Sequence, residues 1–340
     1  MKKVLIFGAG SIGNHMANAC IKQGLDVFVT DKNKNALLLM KKEIFPNRYG
    51  AWNNSIKQIN FTDVFKLKFD FDLIILGTPP ETHYNLYYDC LKKIKFKRIL
   101  IEKPISHHNE KNILKFEKLL KDKIAFCGYN HSISKSFIYF FNKIKKYKPE
   151  QIHVNWCESW KGILGAHFWL KDEYQSYLGD MNKGGGALQE HSHGLHLLIL
   201  ILRLNKLNTS QISLKKLIIK NQKINKSYDS LDFICGKIKN LIFTYKTDLL
   251  TFPAEKKIRY ISGNYKFEWV CNSKNNEDLV SKFNGNKLIS STKFKKTRSS
   301  EFENEIKYIM KINSKKDAEE SHLNPVHAFH VLKIIKSILN

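Results

Sequence analysis

The amino-acid sequence predicts an α/β fold in two domains, and three observations carry that prediction. A short apolar strand, Lys3–Phe7, leads directly into a glycine-rich segment and then into a helical pattern. Strand and helix patterns alternate from there to Gly128, which is typical of a parallel sheet with crossover helices. Beyond residue 205 the strands follow one another with little helix between them, which predicts a second sheet. A chain of 340 residues has ample length for two cores.

The composition is that of a globular protein, with 43% hydrophobic and 26% charged residues. The net charge of +26 comes almost entirely from lysine, because arginine occurs at only five positions. Arginine is the residue that reads bases and phosphates through paired hydrogen bonds, so this charge does not predict a nucleic-acid partner. An acidic small substrate fits the charge equally well.

The six cysteines include no CxxC pair and no zinc or disulfide spacing, which predicts free thiols in a reducing cytoplasm. The chain enters its first strand at once, without the apolar length or the cleavage site of a signal peptide. No stretch reaches the roughly 18–20 apolar residues that a membrane-spanning helix needs. These features predict a cytoplasmic protein with no membrane span.

The first motif is the segment from Gly8 to Gly13, which lies between the strand at Lys3–Phe7 and a helical pattern. A second strand, Asp26–Thr30, ends at Asp31. Strand, GxGxxG, helix, strand and acid is the order of a dinucleotide-binding unit. The first glycine makes the tight turn, the second lets backbone N–H groups reach a pyrophosphate, and the third lets helix and strand pack closely. A glycine-rich turn without a ligand is the minor alternative.

Asp31 bears on the choice of cofactor. Its carboxylate is expected to accept hydrogen bonds from the adenosine ribose and to repel a 2′-phosphate, which favours NAD over NADP. Lys32 and Lys34 follow directly and soften that preference.

Two further motifs follow predicted strands of the first domain. The strand Phe71–Leu76 runs into Thr78-Pro79-Pro80-Glu81-Thr82-His83, where two prolines stiffen the turn. The strand Arg98–Ile101 runs into Glu102-Lys103-Pro104. A lysine just past the carboxyl end of a parallel strand points into the crevice where such sheets bind ligands, so Lys103 is a candidate acid or base. The alternative interpretation is that Lys103 is an ordinary solvent-exposed lysine without a catalytic role.

The segment Gly184–His196 contains three consecutive glycines, one carboxylate and three imidazoles, and the apolar run 197–202 follows it. On a single helix, Gln189, His193 and His196 would share one face, with Glu190 one turn before His193. Such a helix suits catalysis, metal binding through Glu190 and His193, or burial with satisfied polar groups.

Five motifs in this order and spacing resemble those of the glucose–fructose oxidoreductase / inositol dehydrogenase / rhizopine catabolism (Gfo/Idh/MocA) family, and they span Gly8–Gly13, Thr78–His83, Glu102–Pro104, Gly128–Asn130 and Gly184–His193. The resemblance implies an N-terminal Rossmann domain and a C-terminal α/β domain with a large, mostly antiparallel open sheet. It implies nicotinamide-dependent oxidation or reduction at a sugar or cyclitol hydroxyl, with Lys103 and His193 as the catalytic residues. It also implies a homodimer or homotetramer formed through the open sheet.

The predicted site residues fall into two groups. The cofactor-binding residues are Gly8, Gly10, Ser11, Ile12, Gly13, Asp31, Thr78, Pro79, His83, Glu102 and Lys103. The substrate-binding residues are Lys103, Asn130, Trp169, Tyr174, Glu190, His193 and His196. Trp169 and Tyr174 belong to the irregular segment 160–183, which lines the pocket in relatives that resemble enzymes of bacterial surface-sugar synthesis. Packing is the alternative for both aromatic rings.

The chain departs from the family pattern at three places. Many relatives place an arginine or an aromatic residue and then a proline after the tyrosine-asparagine pair, whereas this chain continues with His131 and Ser132. Relatives often carry aspartate where Glu190 and His196 stand. These departures put the substrate in doubt more than the reaction.

We therefore predict a Rossmann domain over residues 1–127 and a substrate-binding and oligomerisation domain over residues 128–340. The predicted activity is NAD-dependent hydride transfer at a sugar hydroxyl or keto carbon, with a nucleotide sugar of surface-polysaccharide or glycan synthesis as the favoured substrate. A non-catalytic, NAD-sensing regulatory or structural protein is the alternative. A metal-dependent enzyme using Glu190 and His193 is a minor one, and no metal is predicted.

Overall fold

The computed structural model describes residues 1–207, 212–223, 225–273 and 276–340, which form two compact units. Unit 1 comprises Met1–Ser106, Glu110–Asn130 and Arg298–Phe329, and unit 2 comprises His107–Asn109, His131–Thr297 and His330–Asn340.

The strands of unit 1 are β1 (Lys3–Phe7), β2 (Asp26–Asp31), β3 (Ile56–Asn60), β4 (Phe71–Leu76), β5 (Phe96–Ile101) and β6 (Ile124–Cys127). Those of unit 2 are β7 (Gln151–Cys157), β8 (Ser213–Lys223), β9 (Lys226–Ile238), β10 (Leu241–Asp248), β11 (Glu255–Ser262), β12 (Tyr265–Ser273), β13 (Glu277–Asn284) and β14 (Lys287–Lys295).

The α-helices are α1 (Ser11–Lys22), α2 (Lys34–Leu39), α3 (Phe45–Tyr49), α4 (His83–Lys93), α5 (Ile113–Leu120), α6 (Lys135–Ile144), α7 (Trp160–Gly165), α8 (Ala187–Glu190), α9 (Ser192–Leu204), α10 (Arg298–Lys311), α11 (Lys315–Glu319) and α12 (Pro325–Leu339). A π-helical turn over Met40–Ile44 joins α2 to α3, so these helices form one longer, irregular helical segment.

The sheet of unit 1 is parallel throughout, in the order β3-β2-β1-β4-β5-β6. Its central strands are almost wholly apolar and fully buried, as strands covered on both faces must be. The strand order reverses between β1 and β4, and ligands bind beyond the carboxyl ends of strands at such a switch point. The predicted Rossmann fold is therefore confirmed.

The sheet of unit 2 has the order β14-β13-β12-β11-β7-β10-β9-β8. Only β7 and β10 run parallel among its neighbouring pairs, so the predicted large and mostly antiparallel sheet is confirmed. The pair Gly263-Asn264, a sequence typical of hairpin turns, joins β11 to β12, and Ser262 pairs directly with Tyr265.

The polar, Lys/Asn/Ser-rich composition of residues 272–300 predicts loop with weak strands, whereas most of this region forms regular strands. Strands β13 and β14 form a hairpin there, whereas residues 274 and 275 lie outside the described part of the chain. Most of β14 is exposed, so its serines and lysines show no apolar alternation. The pair Gly285-Asn286 between the strands was the available signal, since it matches the pair at 263–264.

A buried arginine explains why a C-terminal segment belongs to unit 1. Arg98 on β5 donates from Nε to the Ile312 carbonyl at 2.7 Å and from Nη2 to Asn313 Oδ1 at 2.5 Å. The N–H of Cys127 on β6 donates to the Leu323 carbonyl at 2.8 Å. The prediction had assigned every residue after 127 to the second domain, whereas Arg298–Phe329 packs within unit 1.

Glu305 on α10 is a fully buried carboxyl group in unit 1, and neither of its oxygens has a hydrogen-bond partner within the described residues. Burial and the nearby carboxylate of Glu102 raise its pKa well above the ordinary value, so the folded protein holds this group protonated. In the unfolded chain the same group ionises above about pH 4.3. Its contribution to stability is therefore complete below that pH and is lost as the pH rises toward the folded pKa.

We predict that Glu305→Gln raises the melting temperature at pH 8 by at least about 2 °C, the shift that roughly 1 kcal/mol produces in a domain of this size. The gain should shrink toward zero at pH 4, because the wild-type side chain is then protonated in both states. Calorimetry across this pH range measures the difference, with the exposed Glu320→Gln as the matched control. An equal gain at both pH values would show that Glu305 does not titrate in this way.

Candidate cofactor and substrate residues

The cofactor motifs of unit 1 lie at the carboxyl ends of neighbouring strands. Backbone bonds continue the sheet at these ends: Gly8 donates to Thr30 at 2.8 Å, Gly77 to Phe7 at 2.8 Å, and Glu102 to Leu76 at 3.0 Å. The structure thus brings the glycine loop, the segment after β4 and the Glu102-Lys103-Pro104 loop to one edge of the sheet.

The glycines of the loop are needed for different physical reasons. A β-carbon at Gly13 would lie 1.9 Å from the carbonyl oxygen of Gly8, so that position requires glycine for packing. Gly10 has extended backbone and open space around its missing β-carbon, so no contact inside the protein explains it. Gly10 caps α1 without a side-chain hydrogen bond, which leaves N–H groups of the first turn for an anion. The loop therefore fits the pyrophosphate of a dinucleotide.

Asp31 lies beside this loop, as predicted. Its Oδ2 accepts from the N–H of Ala9 and its Oδ1 from that of Asn33, both at 2.8 Å. A carboxylate has about four acceptor positions, so capacity remains for ribose hydroxyls.

Arg48 on α3 belongs to the same region, and the sequence reasoning missed it. Its Nη1 donates to the Ser11 carbonyl and its Nη2 to Ser11 Oγ, both at 3.0 Å. Burial, followed by the charge of Arg298, lowers the pKa of Arg48 from its ordinary value, although nearby Tyr49 opposes this. The available signal was the rarity of arginine in a chain whose cations are mostly lysine.

His83 was predicted to bind the cofactor, but its position favours a different role. Its ring is fully buried, with Nε2 at 2.8 Å from the Thr78 carbonyl and Nδ1 at 3.1 Å from the Ile105 carbonyl. Desolvation lowers its pKa to about 4, against the effect of the surrounding carbonyls. His83 thus ties the loop after β4 to the loop after β5, while Thr78 and Pro79 remain partly exposed.

Lys103 follows β5 and is partly exposed, and its backbone N–H lies 3.3 Å from Glu102 Oε2. The carboxylate of Glu102 is buried against Gly128, where a β-carbon would come within 2.6 Å of it. Glu102 therefore anchors the loop that carries Lys103. Asn130, a predicted substrate residue, is buried at the start of a 3₁₀ turn that ends at Ile133.

In unit 2, the segment 184–196 does not form one helix, so the predicted shared face was wrong. Helix α8 ends at Glu190, His191 breaks the helical backbone with φ −92° and ψ 16°, and α9 begins at Ser192. Gly186 has φ +90°, and the side chain of Asp229 lies where its β-carbon would be. Asp229 Oδ2 also accepts from the N–H of Leu188 at 2.6 Å.

Gln189 has a structural role. It is fully buried and bonds to three backbone groups, namely the carbonyls of Met181 and Gly185 at 2.8 and 2.9 Å and the N–H of His108 at 3.0 Å. His196 is also fully buried within α9, which favours a core role over the predicted substrate contact. His193 and Glu190 retain some exposure.

The two aromatic substrate candidates differ in their surroundings. Tyr174 packs on Tyr228, with ring centroids 5.8 Å apart, beside the apolar cluster that contains Ile163 and Leu178. This position favours packing over substrate contact. Trp169 lies against the rings of His167 and Phe168 and is partly exposed.

The described residues contain no group of three or more His, Cys, Asp or Glu side chains arranged to hold a metal ion, so the metal hypothesis for Glu190 and His193 gains no support. None of the helices described is long and apolar enough to cross a membrane.

The glycine loop yields a paired prediction. Gly10→Ala should leave the melting temperature within about 1 °C, because its β-carbon meets no protein atom, but should weaken NAD binding at least about tenfold. Gly13→Ala should lower the melting temperature by about 4 °C or more, since overpacking against backbone costs roughly 2 kcal/mol. Calorimetry and NAD titration separate the two effects. Unchanged NAD affinity in a folded Gly10→Ala protein would remove the loop from the binding site.

Comparisons with known proteins agree with this arrangement. A family model described as the oxidoreductase family with an NAD-binding Rossmann fold, GFO_IDH_MocA, matches residues 2–129. A comparison with curated protein sequences finds no match.

Solved structures match the chain over nearly its full length. UDP-N-acetylglucosamine 3-dehydrogenase from Acidithiobacillus ferrooxidans is 12% identical, with a TM-score of 0.67 and coverage of 99% of this chain and 96% of that chain. A 3-ketoreductase from Actinomadura kijaniata, in complex with NADP and TDP-benzene, is 8% identical, with a TM-score of 0.72 and coverage of 99% and 97%. Levoglucosan dehydrogenase in complex with NADH is 12% identical, with a TM-score of 0.72 and coverage of 99% and 96%.

At these identities the structural likeness shows a shared fold, and the family model adds the match over the Rossmann unit. Over residues 2–129 the chain is therefore similar to the NAD-binding Rossmann domain of the Gfo/Idh/MocA oxidoreductase family.

Proposed function

We propose that the protein is an NAD-dependent oxidoreductase that moves a hydride between nicotinamide and a hydroxyl or keto carbon of a sugar. The open space at Gly10, beside the uncapped start of α1 and the carboxylate of Asp31, is the observation that carries the proposal. Gly8, Ser11, Ile12 and Gly13 complete the pyrophosphate loop in this proposal.

The proposed preference for NAD rests on charge. Asp31 places a carboxylate where a 2′-phosphate would be repelled. Lys32 and Lys34, which follow it in the chain, and Arg48, which is bonded to Ser11 of the glycine loop, supply opposing positive charge. The relatives include complexes with NADP and with NADH, so a direct comparison of the two cofactors tests the preference.

Lys103 and His193 are the proposed acid and base. When bound, the nicotinamide supplies or accepts the hydride. In the oxidative direction, one of the two side chains removes the hydroxyl proton, and the other orients the hydroxyl oxygen through a hydrogen bond. An imidazole suits the first task near neutral pH, and an ammonium group, which only donates, suits the second.

A nucleotide sugar is the proposed substrate class. The strongly basic chain suits a diphosphate-bearing substrate, and the names of two structural relatives refer to a UDP-sugar and to a TDP-containing complex. Trp169, Asn130 and Glu190 remain proposed substrate contacts.

Lys103→Met should lower turnover at least about 100-fold, because it removes the proposed proton-transfer or orienting group, and should leave NAD affinity within about twofold. His193→Asn should give a comparable loss. The exposed Lys111→Met is the matched control and should behave as wild type. Steady-state kinetics with a panel of nucleotide sugars and NAD titration measure both quantities.

Retained turnover in Lys103→Met would contradict the proposed mechanism. Cofactor binding by the wild-type protein without turnover across the panel would instead favour the non-catalytic, NAD-sensing alternative.

We also propose that the protein forms a homodimer or homotetramer through the outer face of the unit 2 sheet. Leu217 on β8 and Phe233 on β9 pair directly and are 58% and 41% exposed, and Ile219 on β8 and Ile242 on β10 are also exposed. An apolar patch of this kind is typical of an interaction surface.

Phe233→Lys should convert the oligomer to monomers, because a charge would replace buried apolar area at the contact. Sedimentation velocity measures the change, with Leu114→Lys on α5, another exposed leucine, as the control. A monomeric wild-type protein would refute this proposal.

A further inference from the structure

We propose that His131, held by Cys271, Lys296 and Asp278, is a positioning residue for His193. The inference rests on the proposed function in one respect, which is the role of His193 in proton transfer. All five residues belong to unit 2.

The two imidazoles are in direct contact. The ring centroids of His131 and His193 lie 4.7 Å apart at an interplanar angle of 78°, so the edge of one ring faces the plane of the other. Trp156 on β7 borders both, with centroids 5.2 Å from His131 and 6.0 Å from His193. The three rings form a buried group in which the orientation of His193 depends on that of His131.

The backbone that carries His193 is held independently. At Gly194 a β-carbon would lie 2.8 Å from both Trp156 Cβ and Tyr245 Cε2, so α9 rests directly on the sheet. The Tyr245 hydroxyl donates to the His191 carbonyl at 2.8 Å. Because this backbone is fixed, His193 can move mainly by rotating its side chain. The His131 ring, which packs against the His193 ring, limits that rotation.

A polar network holds the other side of His131. Its Nδ1 lies 3.7 Å from Cys271 Sγ, and Lys296 Nζ donates to the same sulfur at 3.1 Å. Lys296 also pairs with Asp278 Oδ1 at 2.9 Å, and the two side chains are only 12% and 1% exposed. The sulfur is thus placed between a cation and an imidazole.

Asp278 anchors this network to the fold. Besides Lys296, it accepts from Ser136 Oγ at 2.5 Å and from the Asn272 N–H at 2.9 Å. The indole N–H of Trp269 in turn donates to Ser136 Oγ at 3.0 Å. Each member has a partner of complementary chemistry, and such satisfied buried networks hold one side-chain arrangement.

The network has a consequence for the His131 ring. Lysine only donates hydrogen bonds, so Lys296 polarises the sulfur, and the sulfur in turn faces a single ring nitrogen of His131. One tautomer and one ring orientation are then favoured over the others. His131 is also one of the positions at which the chain departs from the family pattern.

Nitrogen-15 NMR of the full-length protein, labelled at histidine and free of cofactor, tests the network directly. Wild type should show His131 in a single tautomer, assigned by its loss in His131→Phe. Lys296→Met and Cys271→Ala should each give a mixture of tautomers and move the His193 signals. Lys296→Arg should retain the wild-type pattern, and the exposed neighbouring Lys295→Met is the matched control.

Kinetics adds a second readout. His131→Phe and Lys296→Met should lower kcat about tenfold with KM within about twofold, because orientation of His193 is needed in the transition state rather than for substrate binding. Circular dichroism checks folding, and Cys271→Ala serves if Lys296→Met fails to fold.

A mixture of His131 tautomers in wild type, or His193 signals unchanged in both network variants, would overturn the inference even if the enzyme turns over normally. If instead the tautomer results hold and no sugar is oxidised or reduced, the proposed function fails while the network stands.

Discussion

Close approach between backbones is the constraint on which unit 1 depends. A β-carbon at Gly13 would collide with the carbonyl oxygen of Gly8, so β1 and α1 can meet only where a side chain is missing. This contact places the start of α1 at the carboxyl edge of the sheet, where the loops after β4 and β5 begin. The open space at Gly10 lies beside the start of α1 because Gly8 and Gly13 allow the strand and the helix to pack closely.

In unit 2, glycines at close contacts likewise position the backbone that carries the His193 imidazole. Gly186 admits the carboxylate of Asp229 against the start of α8, and Gly194 lets α9 rest on Trp156 and Tyr245. Between them, the break at His191 ends α8, so His193 lies in the first turn of a new helix instead of continuing the old one. Side chains from distant strands complete the setting, and the proposed role of His193 in proton transfer requires rigid support of this kind.

Local patterns predicted most of the fold and the cofactor loop. Strands β1 and β4 match their predicted bounds, because buried parallel strands are continuous apolar runs with clear ends. The β13–β14 hairpin was missed, since an exposed edge strand lacks that pattern. The break at His191 and the roles of His83, Arg48 and His131 could not be read from the sequence. Each depends on partners brought near only by tertiary folding, such as Cys271, which lies 140 residues from His131.

The return of Arg298–Phe329 to unit 1 has a consequence for how the protein is made. Arg98 and Cys127 find their partners at Ile312, Asn313 and Leu323, near the end of the chain. The first 130 residues leave the ribosome long before these partners exist, so unit 1 cannot be completed until residue 329 has been made. Until then the Arg98 guanidinium and the edge strand β6 lack these partners, and the nascent Rossmann unit is exposed to chaperones and proteases while residues 131–297 are synthesised.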